Sequence, residues 1–199
     1  PTHTLILSSA ASDVYKRQIL YKRMTIRKFK SFTPVIHEEA YVDESAIVIG
    51  DVSIGKESSV WPKSAIRGDV QKITIGERTN IQDGSILHVT SDNEFTPGGI
   101  PLIIGDDVTI GHGAILHACE IESGCLIGTG SIVLDGAVVK NNVMIAAGSL
   151  VSPNKILESG ILYKGSPAKP IRDLTEKEQK YILFSSNHYV NVMREHIGK

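Results

Sequence analysis

Very little in this sequence could cross-link it, anchor it in a bilayer or hold it to a polyanion. Cysteine occurs only twice in 199 residues, at Cys119 and Cys125, too few for the disulfide framework that small secreted domains use in place of a core. The two thiols lie six residues apart, at equivalent small-residue positions of the pattern described below. They therefore read as reduced side chains packed inward, in a reducing compartment such as the cytoplasm. Basic and acidic residues nearly cancel, 21 against 22, for a formal net charge of −1. A surface built to neutralise phosphates needs a basic face, so nucleic acid is not an expected partner, and the pairs Lys16-Arg17 and Lys22-Arg23 are too short to change that. No stretch approaches the roughly 18 uninterrupted apolar residues of a membrane-crossing helix, so no membrane partner is expected either.

What is present is a beat of aliphatic side chains every six residues. Val42, Val48, Ile54, Val60 and Ile66 keep it, as do Ile75, Ile81 and Leu87, then Ile104, Ile110 and Leu116, then Ile121, Ile127, Val133, Val139, Ile145 and Val151. A small or apolar residue stands two positions before most of them, as at Ser58, Ser64, Thr79, Ser85, Cys119, Cys125, Ser131 and Ala137. Alternation within each unit makes short strands with inward pairs. A period of six turns each strand onto a new face, and three faces close one coil of a triangular parallel β-helix. With 41% hydrophobic residues, the chain supports one such domain plus an appendage.

Residues 1–23 do not keep the beat. Ser8-Ser9-Ala10-Ala11-Ser12-Asp13-Val14-Tyr15-Lys16-Arg17-Gln18 looks like a translated cloning linker, with a native start at Met24. The rival reading is a targeting peptide, basic and serine-containing, with Asp13 its only acid before Met24. The expected organisation is a non-native or disordered leader over 1–23, the β-helix domain over 24–172, and a C-terminal helix packing on it over 173–199.

The beat loses one residue between Leu116 and Ile121, a minor correction, and breaks twice in ways that matter, by three extra residues between Ile66 and Ile75 and by the longer insertion Thr90–Pro101. Both are expected to be turns bulging from a corner. After Val151, the stretch Tyr163-Lys164-Gly165-Ser166-Pro167-Ala168-Lys169 reads as a turn-rich exit. Thr175-x-x-Glu178 then has the form of a capping box, and Ile182, Tyr189, Met193 and Ile197 recur at roughly helical spacing.

Three of the seven histidines lie on the repeat: His88, His112 and His117. With Ile66 on face one, Ile75 and Ile81 take faces two and three, and Leu87 returns to face one. If the insertion hides no strand, Ile104, Ile110 and Leu116 take faces two, three and one. Arg67, His88 and His117 each follow a face-one aliphatic and form an outward row with coils about 4.8 Å apart, near enough for the two histidines to share a metal. His112 belongs to the corner after face three and could hardly bend round to the same ion. Two subunits could bring it there, with Gln82 arriving beside it, and a cyclic trimer would repeat the contact three times and close. Three neutral imidazoles leave zinc an open position for water, whose pKa such an ion lowers to about 7. Arg67-Gly68-Asp69 and Asn80-Ile81-Gln82-Asp83-Gly84 offer groups to orient that water or hold an anion. On the plainer reading, Arg67 and Asp69 pair between subunits, and Asn80 and Asp83 cap turns.

These motifs, with Leu87-His88, Gly111-His112, Leu116-His117 and Gly165-Ser166-Pro167-Ala168-Lys169, resemble the gamma-class carbonic anhydrase family from about residue 33 to 195, most closely its short bacterial members. The resemblance implies a left-handed β-helix with a C-terminal helix, and a homotrimer with interfacial zinc, iron or cobalt being the alternatives. It implies His88 and His117 from one subunit and His112 from its neighbour, and CO2 and bicarbonate as the small-molecule substrate. Gln82, Arg67, Asp69, Asn80 and Tyr189 are the implied catalytic set, with Asn187 near the pocket mouth. Two departures bear on proton transfer. Val70 stands where active members carry a glutamate, and the loop offers only Asp92 and Glu94, so turnover is expected to be modest. The same scaffold also serves hexapeptide-repeat acyltransferases, which use one catalytic histidine and no metal. An acyltransferase, a CoA thioesterase and a metal-stabilised assembly trimer without turnover are therefore the competing readings.

Overall fold

The computed structural model describes residues 25–198, and the leader expected over 1–23 lies outside them. The chain is a left-handed parallel β-helix with a C-terminal helix. Its ladders reproduce the face count residue by residue. Ile66, Leu87, Leu116, Val133 and Val151 stack on face one. Ile54, Ile75, Ile104, Ile121, Val139 and Leu157 stack on face two. Val60, Ile81, Ile110, Ile127, Ile145 and Tyr163 stack on face three. Each is buried, and together they form one continuous aliphatic core. Burial of that column is the main favourable contribution to the fold.

The small residues two positions earlier are inward as well, Cys119 and Cys125 among them as free, buried thiols. The serines among them would be costly to bury unpaired. Ser58, Ser64, Ser85 and Ser131 each donate a hydroxyl to a main-chain carbonyl of a neighbouring coil, those of Gly76, Gln82, Gly111 and Ala146. Gly128 meets a tighter constraint, since a Cβ there would lie 2.4 Å from the Ala147 nitrogen.

The two breaks differ from each other. Thr90–Pro101 is a loop closed at its root by paired hydrogen bonds between Thr90 and Ile100, as expected of a corner insertion. The three extra residues before Ile75 do not leave as a turn. Ala65–Ile75 is one unbroken strand, and Asp69 to Lys72 bulge opposite the single residue Asp51. A bulge keeps the strand extended while it bends round the corner, and it leaves Asp69 beside the face-one row.

The exit is a hairpin of strands Ile161–Gly165 and Ala168–Asp173, with Tyr163 plugging the open end of the core. Helix α1, Glu176–His196, begins with the expected capping box between Thr175 and Glu178. Its buried stripe is Ile182, Ser185, Ser186, Val190 and Met193. Ile197 is the exposed C-cap rather than part of that stripe. Val190 and Met193 pack on Trp61, joined by Tyr41 and Tyr189, which holds the helix along face three.

Candidate metal centre

The face-one ladder sets His88 directly beside His117. Their rings approach through His88 Nδ1 and His117 Nε2, 3.1 Å apart. The other nitrogen of each ring meets a carboxylate: His88 Nε2 lies 3.1 Å from Asp69 Oδ1, and His117 Nδ1 lies 2.7 Å from Asp135 Oδ1. Arg67 holds the second oxygen of Asp69, and the Thr90 hydroxyl donates to that of Asp135. Burial alone would raise the pKa of both acids. Hydrogen bonds from Arg67 and His88 outweigh it at Asp69, and those from Thr90 and His117 outweigh it at Asp135, so both carboxyls lie below their ordinary range.

Those carboxylates fix the tautomers. An ionised carboxylate only accepts, so a neutral ring carries its proton on the nitrogen facing the acid, Nε2 in His88 and Nδ1 in His117. With both rings neutral, two lone pairs face each other across 3.1 Å, an arrangement that a proton or a metal cation between them relieves. Two nitrogens bound to one tetrahedral ion at 2.0–2.1 Å would stand about 3.3 Å apart. The donor set thus fits a metal, with a carboxylate behind each imidazole as ligating histidines usually have.

His112 lies elsewhere on the chain, at the corner after face three. Its Nδ1 is 3.0 Å from Asp83 Oδ2, which turns Nε2 outward in the same manner. Among the described residues of one chain, no three histidine, cysteine or acidic side chains converge on a single point. Near His112, Gln82 donates its amide to Asn80 Oδ1 at 3.1 Å. Asn80 in turn reaches Thr109 Oγ1 at 3.0 Å, and that hydroxyl is 3.0 Å from Ser185 on α1. Gln82, Gly111, His112, Gly128, Ser185 and Tyr189 help line a cleft of about 570 Å³ between face three and α1. Tyr189 stands edge-on to Trp61 at 5.5 Å, and burial followed by the charge of Asp83 raises its pKa.

The chain therefore carries two separate clusters. Arg67, Asp69, His88 and His117 meet on face one, while Asn80, Gln82, His112 and Tyr189 gather at face three. The Arg67–Asp69 pair forms within one chain, and Asp83 partners His112 rather than merely capping a turn. Asn187 spends its amide on the Leu183 carbonyl of its own helix. In the loop, Asp92 accepts from Gly98 N at 2.8 Å. No sequence motif marks Asp135 or Thr90 as a partner of this row. The one signal available was the ladder, which puts Val133 over Leu116 and so brings the corner acid two residues later close to His117.

No family model matches the chain. Protein YrdA of Escherichia coli is 49% identical over 174 residues, spanning 87% of this chain and 95% of that protein. The protein named gamma carbonic anhydrase 1, mitochondrial, of Arabidopsis thaliana is 43% identical over 186 residues, spanning 93% of this chain and 67% of that protein. Among solved structures, a hexapeptide transferase family protein from Anaplasma phagocytophilum superposes with a TM-score of 0.78 at 42% identity, covering 84% of this chain and 95% of that one.

Proposed function

This chain belongs to the gamma carbonic anhydrase family, and from that membership we propose that it hydrates CO2 reversibly to bicarbonate as a homotrimer with a zinc centre at each subunit interface. The observation that carries the reading is the approach of His88 Nδ1 to His117 Nε2, 3.1 Å apart, each ring backed by a carboxylate on its other nitrogen. His88 Nδ1 and His117 Nε2 from one subunit and His112 Nε2 from its neighbour would hold the ion. Three imidazoles suit zinc, with iron or cobalt as alternatives. When bound, such an ion lowers the pKa of water to about 7 and so supplies a nucleophile at neutral pH.

The chain's own groups do the rest. Gln82, braced by Asn80, orients the water at the mouth of the cleft. Arg67, with one edge on Asp69, offers its remaining N–H groups to the bicarbonate anion. Tyr189 closes the mouth beside Trp61. A trimer is supported by the outward column of face one, where Ile47, Ile86, Ile115, Ile132 and Leu150 stand in register. Ile47 and Ile86 are exposed in the single chain, and a ring of three would cover them. Proton export has little help, because Val70 cannot carry a proton and the loop offers only Asp92, which accepts from Gly98 N, and the exposed Glu94. Turnover is therefore modest and buffer-dependent. The buried free thiols suit a cytoplasmic setting, and no helix among the described residues is long and apolar enough to cross a membrane.

A second reading, transfer or hydrolysis of an acyl-CoA, draws on the hexapeptide transferase neighbour and on a cleft larger than CO2 requires. Metal analysis of the purified protein combined with stopped-flow CO2 hydration separates the readings. Stoichiometric metal with hydration above the buffer blank supports the hydratase. Acyl-CoA turnover without metal supports the alternative, and metal without any turnover leaves an assembly trimer.

A further inference from the structure

Asp135 belongs to none of the motifs that carry the family resemblance, yet it is tied to the face-one row from two sides. Its Oδ1 lies 2.7 Å from His117 Nδ1, and its Oδ2 accepts from the Thr90 hydroxyl. We propose that Asp135, locked by Thr90, is the positioning residue that fixes His117 in its Nδ1-protonated tautomer and presents Nε2 to the metal centre. The inference rests on the metal reading above for its purpose, but not for its geometry.

Three successive corners supply the parts. Ala118, just after His117, donates its N–H to the His88 carbonyl at 2.9 Å. Gly136, just after Asp135, donates to the Ala118 carbonyl at 2.7 Å. The main chain thus holds the corners at fixed spacing, with Thr90, His117 and Asp135 projecting from consecutive coils. A carboxylate with one hydrogen bond could rotate about its side chain. With a second bond from Thr90, both oxygens are committed and the plane facing His117 is set. Asp69 performs the matching task for His88 with Arg67 as its anchor. The difference lies in where the anchors lead. Thr90 is also the root of the Thr90–Pro101 loop, bonded to Ile100 through both main-chain groups. Loop and metal ligand therefore share one hydrogen-bonded chain, and a change at the root of the loop is felt at His117.

The test has two arms. In metal-free wild-type protein, histidine side-chain 15N NMR should report His117 protonated at Nδ1, and finding the proton on Nε2 would overturn the inference without reference to any metal. In the second arm, trimers are titrated with cobalt(II) and followed by visible absorption. Asp135→Ala should weaken binding about 10- to 100-fold, as loss of a ligand's carboxylate partner generally does. Thr90→Val should weaken it by less, and Thr90→Ser should restore it. Thr90→Val keeps the volume of the side chain, so it carries the test if Asp135→Ala fails to fold. Wild-type affinity and spectrum in both Asp135→Ala and Thr90→Val, alongside lost binding in His117→Ala, would reduce Asp135 to a structural role. Undiminished binding in His117→Ala would instead sink the metal reading itself.

Discussion

His88 Nδ1 and His117 Nε2 face each other at 3.1 Å on one ladder rung, while Asp69 and Asp135 hold the opposite nitrogens. Two imidazoles left to themselves would share a proton by letting one ring donate to the other. Here each ring has a carboxylate on its far nitrogen, which favours keeping the protons there and leaves the two facing nitrogens open to a shared cation. A third imidazole, His112, is braced in the same way by Asp83 but lies on another face, so under the proposed function it would come from a neighbouring subunit.

Gln82 lines the cleft without belonging to the ligand set. Gln82→Ala should therefore keep its full metal content and lose about 10- to 100-fold in hydration rate, as read by stopped flow beside elemental analysis. In the wild type, the rate should climb with the concentration of a small imidazole buffer, because Val70 offers no proton carrier. Equal loss of metal and rate in Gln82→Ala would move Gln82 into the ligand shell.

The stem of α1 should be acid-sensitive. Hydrogen bonds from Arg172, then from the Thr175 backbone and side chain, hold the Glu178 carboxyl down at about 2, against an ordinary 4.5. A depressed folded-state pKa contributes stability that is complete above the unfolded value and lost as pH falls through the folded one. Helix docking should thus weaken as pH falls from about 4.5 toward about 2, followed by Trp61 fluorescence because Trp61 packs against Val190 and Met193. Glu178→Gln should flatten that part of the profile, and an unchanged profile would show that the cap does not hold the helix.

Two glycines near the cleft should answer differently to alanine. At Gly128 a Cβ would press on the main chain of the next coil, 2.4 Å from the Ala147 nitrogen, and no side chain can yield. Overpacking of this kind costs about 2–3 kcal/mol. At Gly130 there is open space, but φ is +66°, so the cost is the left-handed backbone, about 1 kcal/mol. Thermal midpoints of the two variants should order accordingly, and the reverse order would contradict the coil spacing.

The ladder was legible in the sequence because one physical requirement, an aliphatic side chain inside every short strand, repeats every six residues and leaves little freedom of register. The same count placed His88 over His117 and set His112 apart. Other features gave no such signal. Asp135 is a corner acid, which in sequence cannot be told from a turn former. Ser185 and Ser186 interrupt the apolar stripe of α1, yet they are buried because Thr109 and the Leu183 carbonyl satisfy them. The residues Asp69 to Lys72 read as a turn, since nothing in their composition distinguishes an outward loop from a bulge inside a continuous strand.

The shared centre is tested most directly by complementation. His88→Ala and His112→Ala are each purified without a working site, then unfolded and refolded together in equal amounts with zinc. If His88 and His117 of one subunit meet His112 of the next, random assortment into trimers should restore about a quarter of the sites. Metal content and hydration rate should then recover together to about that fraction of wild type. If all three ligands came from one subunit, no mixture could rebuild a site, and metal and rate would both stay at the level of the separate variants.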